Sequence, residues 1–206
     1  MTEASDQILF GFGRLAALLR TGHRQGGAAF DLNPAQVEIL LRVAAHPARA
    51  GALAEHLGVS AASVSDSISS LEAKGHVDRR PDPLDRRAQQ IHPTKAGLAA
   101  AAALAAGPTP LRASLDTLGS ADEAALLRAL TLLIRALQQA RAIPVQRMCA
   151  TCRHFRPRVH ADAGRPHHCA FVDAAFGDAS LRLDCGDHEA APAEEAAALW
   201  RRFEAA

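Results

Sequence analysis

Four cysteines carry the most specific chemistry in the chain. Cys149 and Cys152 form a C-x-x-C pair; sixteen residues separate Cys152 from Cys169, and fifteen separate Cys169 from Cys185. All the cysteines therefore fall in one short segment poor in aliphatic residues, which packing alone does not explain. Four thiolates suit a structural zinc ion or an iron–sulfur cluster, since both prefer soft sulfur donors. A zinc ribbon normally offers two C-x-x-C knuckles. Here one knuckle is followed by two isolated cysteines, which tilts the balance toward a cluster. Arg153, Arg156 and Arg158 are placed to offset the negative charge of such a site, and His154, His167, His168 and His188 are alternative or outer ligands. Metal binding would supply this core-poor segment with folding energy on the order of 10 kcal/mol in apparent terms.

A second set of chemistry-bearing residues lies earlier. Ser60, Ser63, Ser65, Asp66, Ser67, Ser69 and Ser70 fall on one predicted helix, with small polar groups able to approach DNA closely. Hydroxyls serve phosphates or base edges with little selectivity, while Asp66 can accept from a cytosine amino group. Arg79, Arg80, Arg86 and Arg87 cluster in a predicted hairpin, where guanidinium forks suit phosphates and narrow minor grooves. The serine-rich helix contains no arginine, so more of any affinity for DNA falls to the hairpin.

The elements that must position these groups follow from periodicity and punctuation. Leu9, Phe12, Leu15, Ala16 and Leu19 mark an amphipathic helix over residues 6–20, ended by Gly22, Gly26 and Gly27. Asn33-Pro34 opens a second helix with the stripe Val37, Leu40, Leu41 and Ala44, and His46-Pro47 stops it. A short third helix covers roughly 51–57, closed by Gly58; Ser60 caps a fourth that runs to Lys74 and stops at Gly75. Residues 76–80 and 88–92 read as the two strands of a hairpin around the polar turn 81–87. Helix resumes at Thr94, Gly107-Pro108-Thr109-Pro110 breaks it, and 111–118 resumes it. Ser120 and Glu123 form a capping box ahead of the stripe Leu126, Leu130, Leu133 and Leu137, widened by Leu127 and Ile134 and ended by Ile143-Pro144. Residues 192–203 predict one more short helix.

From Ser60 to Gly97 the sequence resembles the MarR family of winged helix-turn-helix regulators. Leu53, Ala54, Leu57, Val59 and Ser60 carry that likeness, followed by Val64, Leu71, Glu72, Gly75, Val77 and Arg79, then Asp85-x-Arg87 and Thr94-x-x-Gly97. The likeness extends over roughly residues 6–142, because the flanking helices fall in the family's order. It implies a homodimer on a pseudo-palindromic operator, usually as a repressor. It also implies that the first and last two helices form the dimer interface, that Asp85 orients the wing, and that Arg87 enters the minor groove. A small organic effector between the first helix and the DNA-binding lobe is implied as well. Two departures stand out: Asp66 where the family often has Arg, and the Pro108/Pro110 break where it usually has one long helix. The frame C-x-x-C-R-H-F … H-H-C-A-F … L-D-C-G-D-H-E is in turn similar to small high-potential-iron-type [4Fe–4S] modules on accessory subunits of some radical enzymes.

The fold class expected is mainly α with a small β-hairpin wing, flanking dimerisation helices, and a small irregular four-cysteine module. The boundary falls between 1–143 and 144–206, where composition shifts. Twenty-three basic against 22 acidic side chains exclude a polycation or an acidic tail protein. Alanine is nearly a quarter of the chain, Tyr is absent, and Trp occurs once, which leaves Leu as the main large core residue. The start has no basic n-region, and nothing approaches the ~18 apolar residues of a membrane span, so a cytoplasmic protein with reduced cysteines is expected. No P-loop, G-x-S-x-G, H-E-x-x-H or paired-carboxylate frame points to an enzyme. The function expected is a transcriptional regulator that binds double-stranded DNA as a homodimer, with a metal or iron–sulfur site that stabilises or senses. The alternative is an iron–sulfur electron-transfer or enzyme-accessory protein that uses the winged helix for protein docking.

Overall fold

A computed structural model describes residues 2–83, 85–105 and 109–205. They divide into two compact units, Met1–Asp116 and Thr117–Ala206. The compositional boundary near Pro144 and this structural division differ by one helix. Residues Leu127, Leu132 and Ile134 of that helix pack on the aromatic core of the cysteine-bearing unit.

In the first unit, α1 (Glu3–Ala28) is followed by α2 (Pro34–Ala45), α3 (Ala50–Leu57) and α4 (Ala61–Ala73). Antiparallel strands β1 (Val77–Pro81) and β2 (Gln89–Pro93) come next, then α5 (Lys95–Ala105) and α6 (Thr109–Leu115). The helix expected over 6–20 is longer, because α1 runs through Gly22, Gly26 and Gly27 rather than stopping there. These last two glycines serve close packing: a Cβ on Gly27 would come within 2.8 Å of Val37 Cγ2, and one on Gly26 within 3.0 Å of Leu104 Cδ2. The start of α2 is a full capping box, with Gln36 N–H donating to Asn33 Oδ1 (2.9 Å) and Asn33 N–H to Gln36 Oε1 (3.1 Å). Gly58 and Gly75 end α3 and the turn after α4 with φ of 64° and 74°, the left-handed region that glycine enters without a Cβ penalty. Val37, Ile39, Leu40, Leu53, Ile68, Leu71 and Ile91 form the buried aliphatic core.

The hinge between β2 and α5 explains the Thr94-x-x-Gly97 motif. Thr94 Oγ1 donates to the Gly75 carbonyl (2.6 Å) and accepts from Gly97 N–H (3.0 Å), tying the end of α4 to the start of α5. Gly97 lies so close to the His76 carbonyl that any Cβ there would overlap it. The Gly107-Pro108 part of the expected break lies outside the described residues; α6 begins at Thr109 and has Pro110 in its first turn, where the missing N–H costs nothing.

The second unit begins with α7 (Ser120–Gln139). The capping box expected at Ser120 does not form. The helix starts one residue sooner, on Gly119, whose carbonyl accepts from Glu123 N–H (3.0 Å), and no side chain caps it. It also ends before Ile143-Pro144, because Arg141 turns left-handed (φ 56°) and Ala142 N–H closes back on the Leu137 carbonyl (2.9 Å). A three-stranded antiparallel sheet follows, of β3 (Phe155–Arg156), β4 (His167–Cys169) and β5 (Ala174–Phe176), and α8 (Ala193–Glu204) ends the unit. Leu was expected to dominate burial, yet this core is aromatic: Phe155, Trp200 and Phe203 are buried with Met148 and Leu181. Among the described residues no helix is long and apolar enough to cross a membrane.

Candidate functional site

In the first unit, α4 buries Val64, Ile68 and Leu71 and turns its serines outward. Ser63, Ser65, Asp66 and Ser69 are exposed. Two hydroxyls serve the helix itself: Ser60 Oγ accepts from Ser63 N–H (3.2 Å) as the N-cap, and Ser67 Oγ donates to the Ser63 carbonyl (2.9 Å). The sequence-predicted set is therefore brought together on one surface, with Ser60 and Ser67 partly committed to local bonds.

The wing is built from three directions. Strands β1 and β2 pair in register from Val77 with Pro93 to Pro81 with Gln89. Ala48, just ahead of α3, adds an isolated bridge to Ile91, with Ile91 N–H donating to the Ala48 carbonyl (2.9 Å). At the base of the loop Asp82 is 3% exposed and accepts from Arg49 Nε (2.7 Å) and Gln90 Nε2 (3.0 Å). Asp85 accepts from the Arg87 backbone N–H (3.1 Å) and faces Arg49 at 3.9 Å. Sequence reading missed Arg49, Asp82 and Gln90 as parts of this clamp, because Arg49 and Asp82 are 33 positions apart and neither belongs to a motif.

The four wing arginines differ in what they touch. Arg79 Nε donates to both Glu72 oxygens (3.1 and 3.0 Å), and Arg80 forms a two-point pair with Asp78 (2.9 and 3.0 Å). The Arg80 guanidinium holds the Asp78 carboxyl below the usual range. Arg86 and Arg87 stand exposed at the tip. Exposed ion pairs are weak and exchange readily, so Arg79 and Arg80 retain the chemistry to meet phosphate, but only in competition with Glu72 and Asp78.

In the second unit all four cysteines line one cavity of about 180 Å³, together with Phe155, Phe171, Val172, Phe176, Arg182 and others. Cys149 and Cys152 bracket a 3-10 turn, Cys169 ends β4 opposite Phe155, and Cys185 follows a loop and donates its own backbone N–H to the Arg147 carbonyl (2.8 Å). The Arg182 backbone N–H donates to Cys149 Sγ (3.3 Å). Burial, reinforced by the neighbouring thiols, pushes the Cys149 thiol up to about 11. Such a thiol is a poor nucleophile at neutral pH, and its thiolate needs a cation beside it.

The neighbours of the cysteines are not those expected. The arginine that reaches the cavity is Arg182, whereas Arg153 pairs with Glu189 (3.6 Å) and Arg156 with Glu195 (3.7 Å). Of the candidate histidines only His154 reaches it, and His154 is paired with Glu189 (3.0 Å). His167 is fully buried and spends both nitrogens, accepting from Arg158 N–H (3.3 Å) and donating from Nε2 to Asp178 (2.8 Å). His168 faces Asp173 (3.3 Å), and His188 shares a hydrogen bond with Thr151 Oγ1 (2.9 Å). No signal in the sequence distinguished Arg182 from the arginines nearer the first cysteine pair.

Helix α2, the pair α3–α4 and the β1–β2 hairpin together define the winged helix-turn-helix fold. Residues 30–88 match the model of the MarR family. Solved structures share the fold at low identity. A MepR mutant from S. aureus is 20% identical, at a TM-score of 0.54, over 64% of this chain and 97% of its own. A MarR protein from Peptoclostridium difficile is 19% identical, at 0.54, over 65% and 88%. RV1404 from Mycobacterium tuberculosis is 24% identical, at 0.51, over 69% and 94%. No curated protein matches the chain.

Proposed function

We propose that this protein is a MarR-type transcriptional regulator that binds double-stranded DNA as a homodimer, acts as a repressor, and carries a four-cysteine metal or iron–sulfur centre that stabilises the second unit or senses redox or metal state. One observation carries the DNA-binding half: an exposed, arginine-free serine helix lies in the same winged helix as a hairpin whose tip presents Arg86 and Arg87. The helix approaches base edges and phosphates at short range, while the tip supplies the charge. The family match over 30–88 supports this reading. Dimerisation is supported by α1, whose Ile8, Phe12, Leu15 and Leu19 are 37–56% exposed along one helical stripe. In α7, Leu126, Leu133 and Leu137 are likewise exposed.

The experiment is a salt titration of binding to duplexes selected from a random library by the purified full-length protein. Binding should weaken steeply with salt. Replacing Arg86 and Arg87 together by Ala should reduce the slope of log K against log salt by about 1.8 per wing, from about 0.9 for each phosphate no longer neutralised. An unaltered slope and affinity in that double variant, or the absence of salt-dependent duplex binding in the parent, would overturn the reading.

A further inference from the structure

Resting on the reading of the wing as a DNA-binding element, we infer that Arg49 is its positioning residue: one guanidinium fixes the tip through Asp82 and Asp85 and keeps Arg86 and Arg87 available for phosphate. The first reason is that Arg49 is poorly placed for its own helix. It is the N-cap of α3, where its side chain makes no capping bond. That position favours Ser, Thr, Asp or Asn, and a cation there opposes the helix dipole. A residue that breaks a local rule is compensated elsewhere. The compensation here is the Asp82 carboxylate, 33 positions on and 2.7 Å from Arg49 Nε.

The second reason is the burial of Asp82. At 3% exposure its carboxylate is tolerated only when paired and hydrogen-bonded. Arg49 supplies the charge, and Gln90 Nε2 adds a second bond at 3.0 Å. Asp82 also donates its backbone N–H to the Ala88 carbonyl (3.0 Å), so the clamped residue is the one that closes the loop on the ladder. Two strands of five residues make only a marginal hairpin by themselves, and this anchor ties theirs to α3. The third reason is reach. Arg49 Nη2 lies 3.9 Å from Asp85 Oδ2, while Asp85 Oδ1 accepts from the Arg87 N–H (3.1 Å). The guanidinium thus stands between α3 and both loop carboxylates. Arg86 and Arg87, exposed at the tip, are left with those two anions already engaged. Remove Arg49, and Asp82 and Asp85 become partners that draw the tip guanidiniums back into the loop. A lysine at this position, with its single point charge, could not face both carboxylates as a planar fork does.

The test compares the full-length parent with Asp82→Asn, Arg49→Ala and Arg49→Lys on the duplexes selected from the random library. Asp82→Asn keeps the side chain's shape and removes a negative charge, so charge alone requires tighter binding to DNA. Positioning requires the opposite. Binding should weaken roughly tenfold, and the slope of log K against log salt should fall toward that of the Arg86/Arg87 double variant. Arg49→Ala should match it, Arg49→Lys should restore only part of the loss, and Arg49→Ala combined with Asp82→Asn should be no weaker than the weaker single variant. Unchanged or tighter binding in Asp82→Asn would overturn the inference. Losses that add in full would make Arg49 an independent phosphate contact and overturn it too. A second readout needs no DNA. Trypsin cleaves after Arg86 and Arg87, and where circular dichroism shows the helices intact both Asp82→Asn and Arg49→Ala should be cut there roughly tenfold faster than the parent. Cleavage at the parent's rate would contradict the clamp. Arg49 is half-exposed, so its variants carry this comparison even if Asp82→Asn does not fold. A parent that ignores duplexes while the variant tips open breaks the regulator reading alone. One that grips them, with variants equally tight and equally closed, breaks only this inference.

Discussion

The two units of this chain are held by different materials. The first buries Val37, Ile39, Leu40, Leu53, Ile68 and Leu71, all at 1% exposure or less, on helices long enough to repeat their apolar spacing. The second buries Phe203, Met148 and His167 completely, with Phe155 and Trp200 nearly so, among strands of two or three residues and two 3-10 turns. Aliphatic stripes on helices make a continuous core that stands by burial. Short strands cannot do so, since each contributes only one or two inward side chains. Rings in edge and tilted contact, at centroid separations of 5.4–5.9 Å among Phe155, His167, Phe176 and Phe203, then cover one side of the sheet. The cysteine cavity occupies what would otherwise be a gap in the packing.

The largest effect that tests this contrast is removal of the metal centre proposed for the four cysteines. Stripping it with a chelator should abolish stabilisation on the order of 10 kcal/mol in the second unit and leave the first folded. Hydrogen exchange followed by mass spectrometry should show peptides across β3–β5 losing protection while those of α2 and α4 keep it. Equal loss in both units, or loss in neither, would erase the distinction.

A smaller pair of changes addresses each core separately. Phe203 is fully buried, faces the Phe155, His167 and Trp200 rings, and lies under the Arg128 guanidinium at 4.7 Å. Phe203→Ala should destabilise the second unit by about 3–5 kcal/mol. Its counterpart is Gly97→Ala, whose methyl would overlap the His76 carbonyl, and which should cost the first unit about 1–3 kcal/mol through forced backbone shifts. Calorimetry of the full chain should show each substitution moving a different transition. A single transition shifted by both would mean that the units melt as one.

The same contrast explains what could be read from residues alone. Asn33-Pro34, Ser60, Gly58 and Gly75 each act through neighbours within a few positions, so the capping and stopping of α2 to α4 were legible. The hairpin and its tip arginines were legible for the same reason. What local pattern hides is partnership at a distance. Gly26 and Gly27 read as a helix end, because nothing nearby reveals that Leu104 and Val37 will press against them. Asp82 reads as a polar turn residue, because its partner Arg49 lies on another element. In the second unit the gathering of all four cysteines in one place was legible from their spacing, whereas the identity of their neighbours was not. Arg182 reaches the cavity and Arg153 does not, a matter of how a loop closes and not of sequence proximity.

The smallest effect concerns how the aromatic core tolerates an ionisable ring. Burial lowers the pKa of His167, and its hydrogen bond to Asp178 opposes that shift without cancelling it. The folded ring therefore stays neutral below the ordinary histidine value of about 6.5. Over that window the unfolded chain takes up a proton that the folded chain refuses. Stability from this group is present in full above about pH 6.5 and is lost as the pH falls toward the lower folded value, at no more than about 1.4 kcal/mol per pH unit. In His167→Gln the side-chain amide can still donate to Asp178 but does not titrate. The melting temperature of the second unit, taken at pH 7 and pH 5 with equal metal content, should fall further in the parent than in the variant. His188, also lowered by burial, titrates in the same direction in both proteins and contributes to the residual slope of the variant. A parent slope no steeper than that of His167→Gln would show that the ring is hydrated in solution, and the aromatic core of the second unit would then be more open than its packing implies.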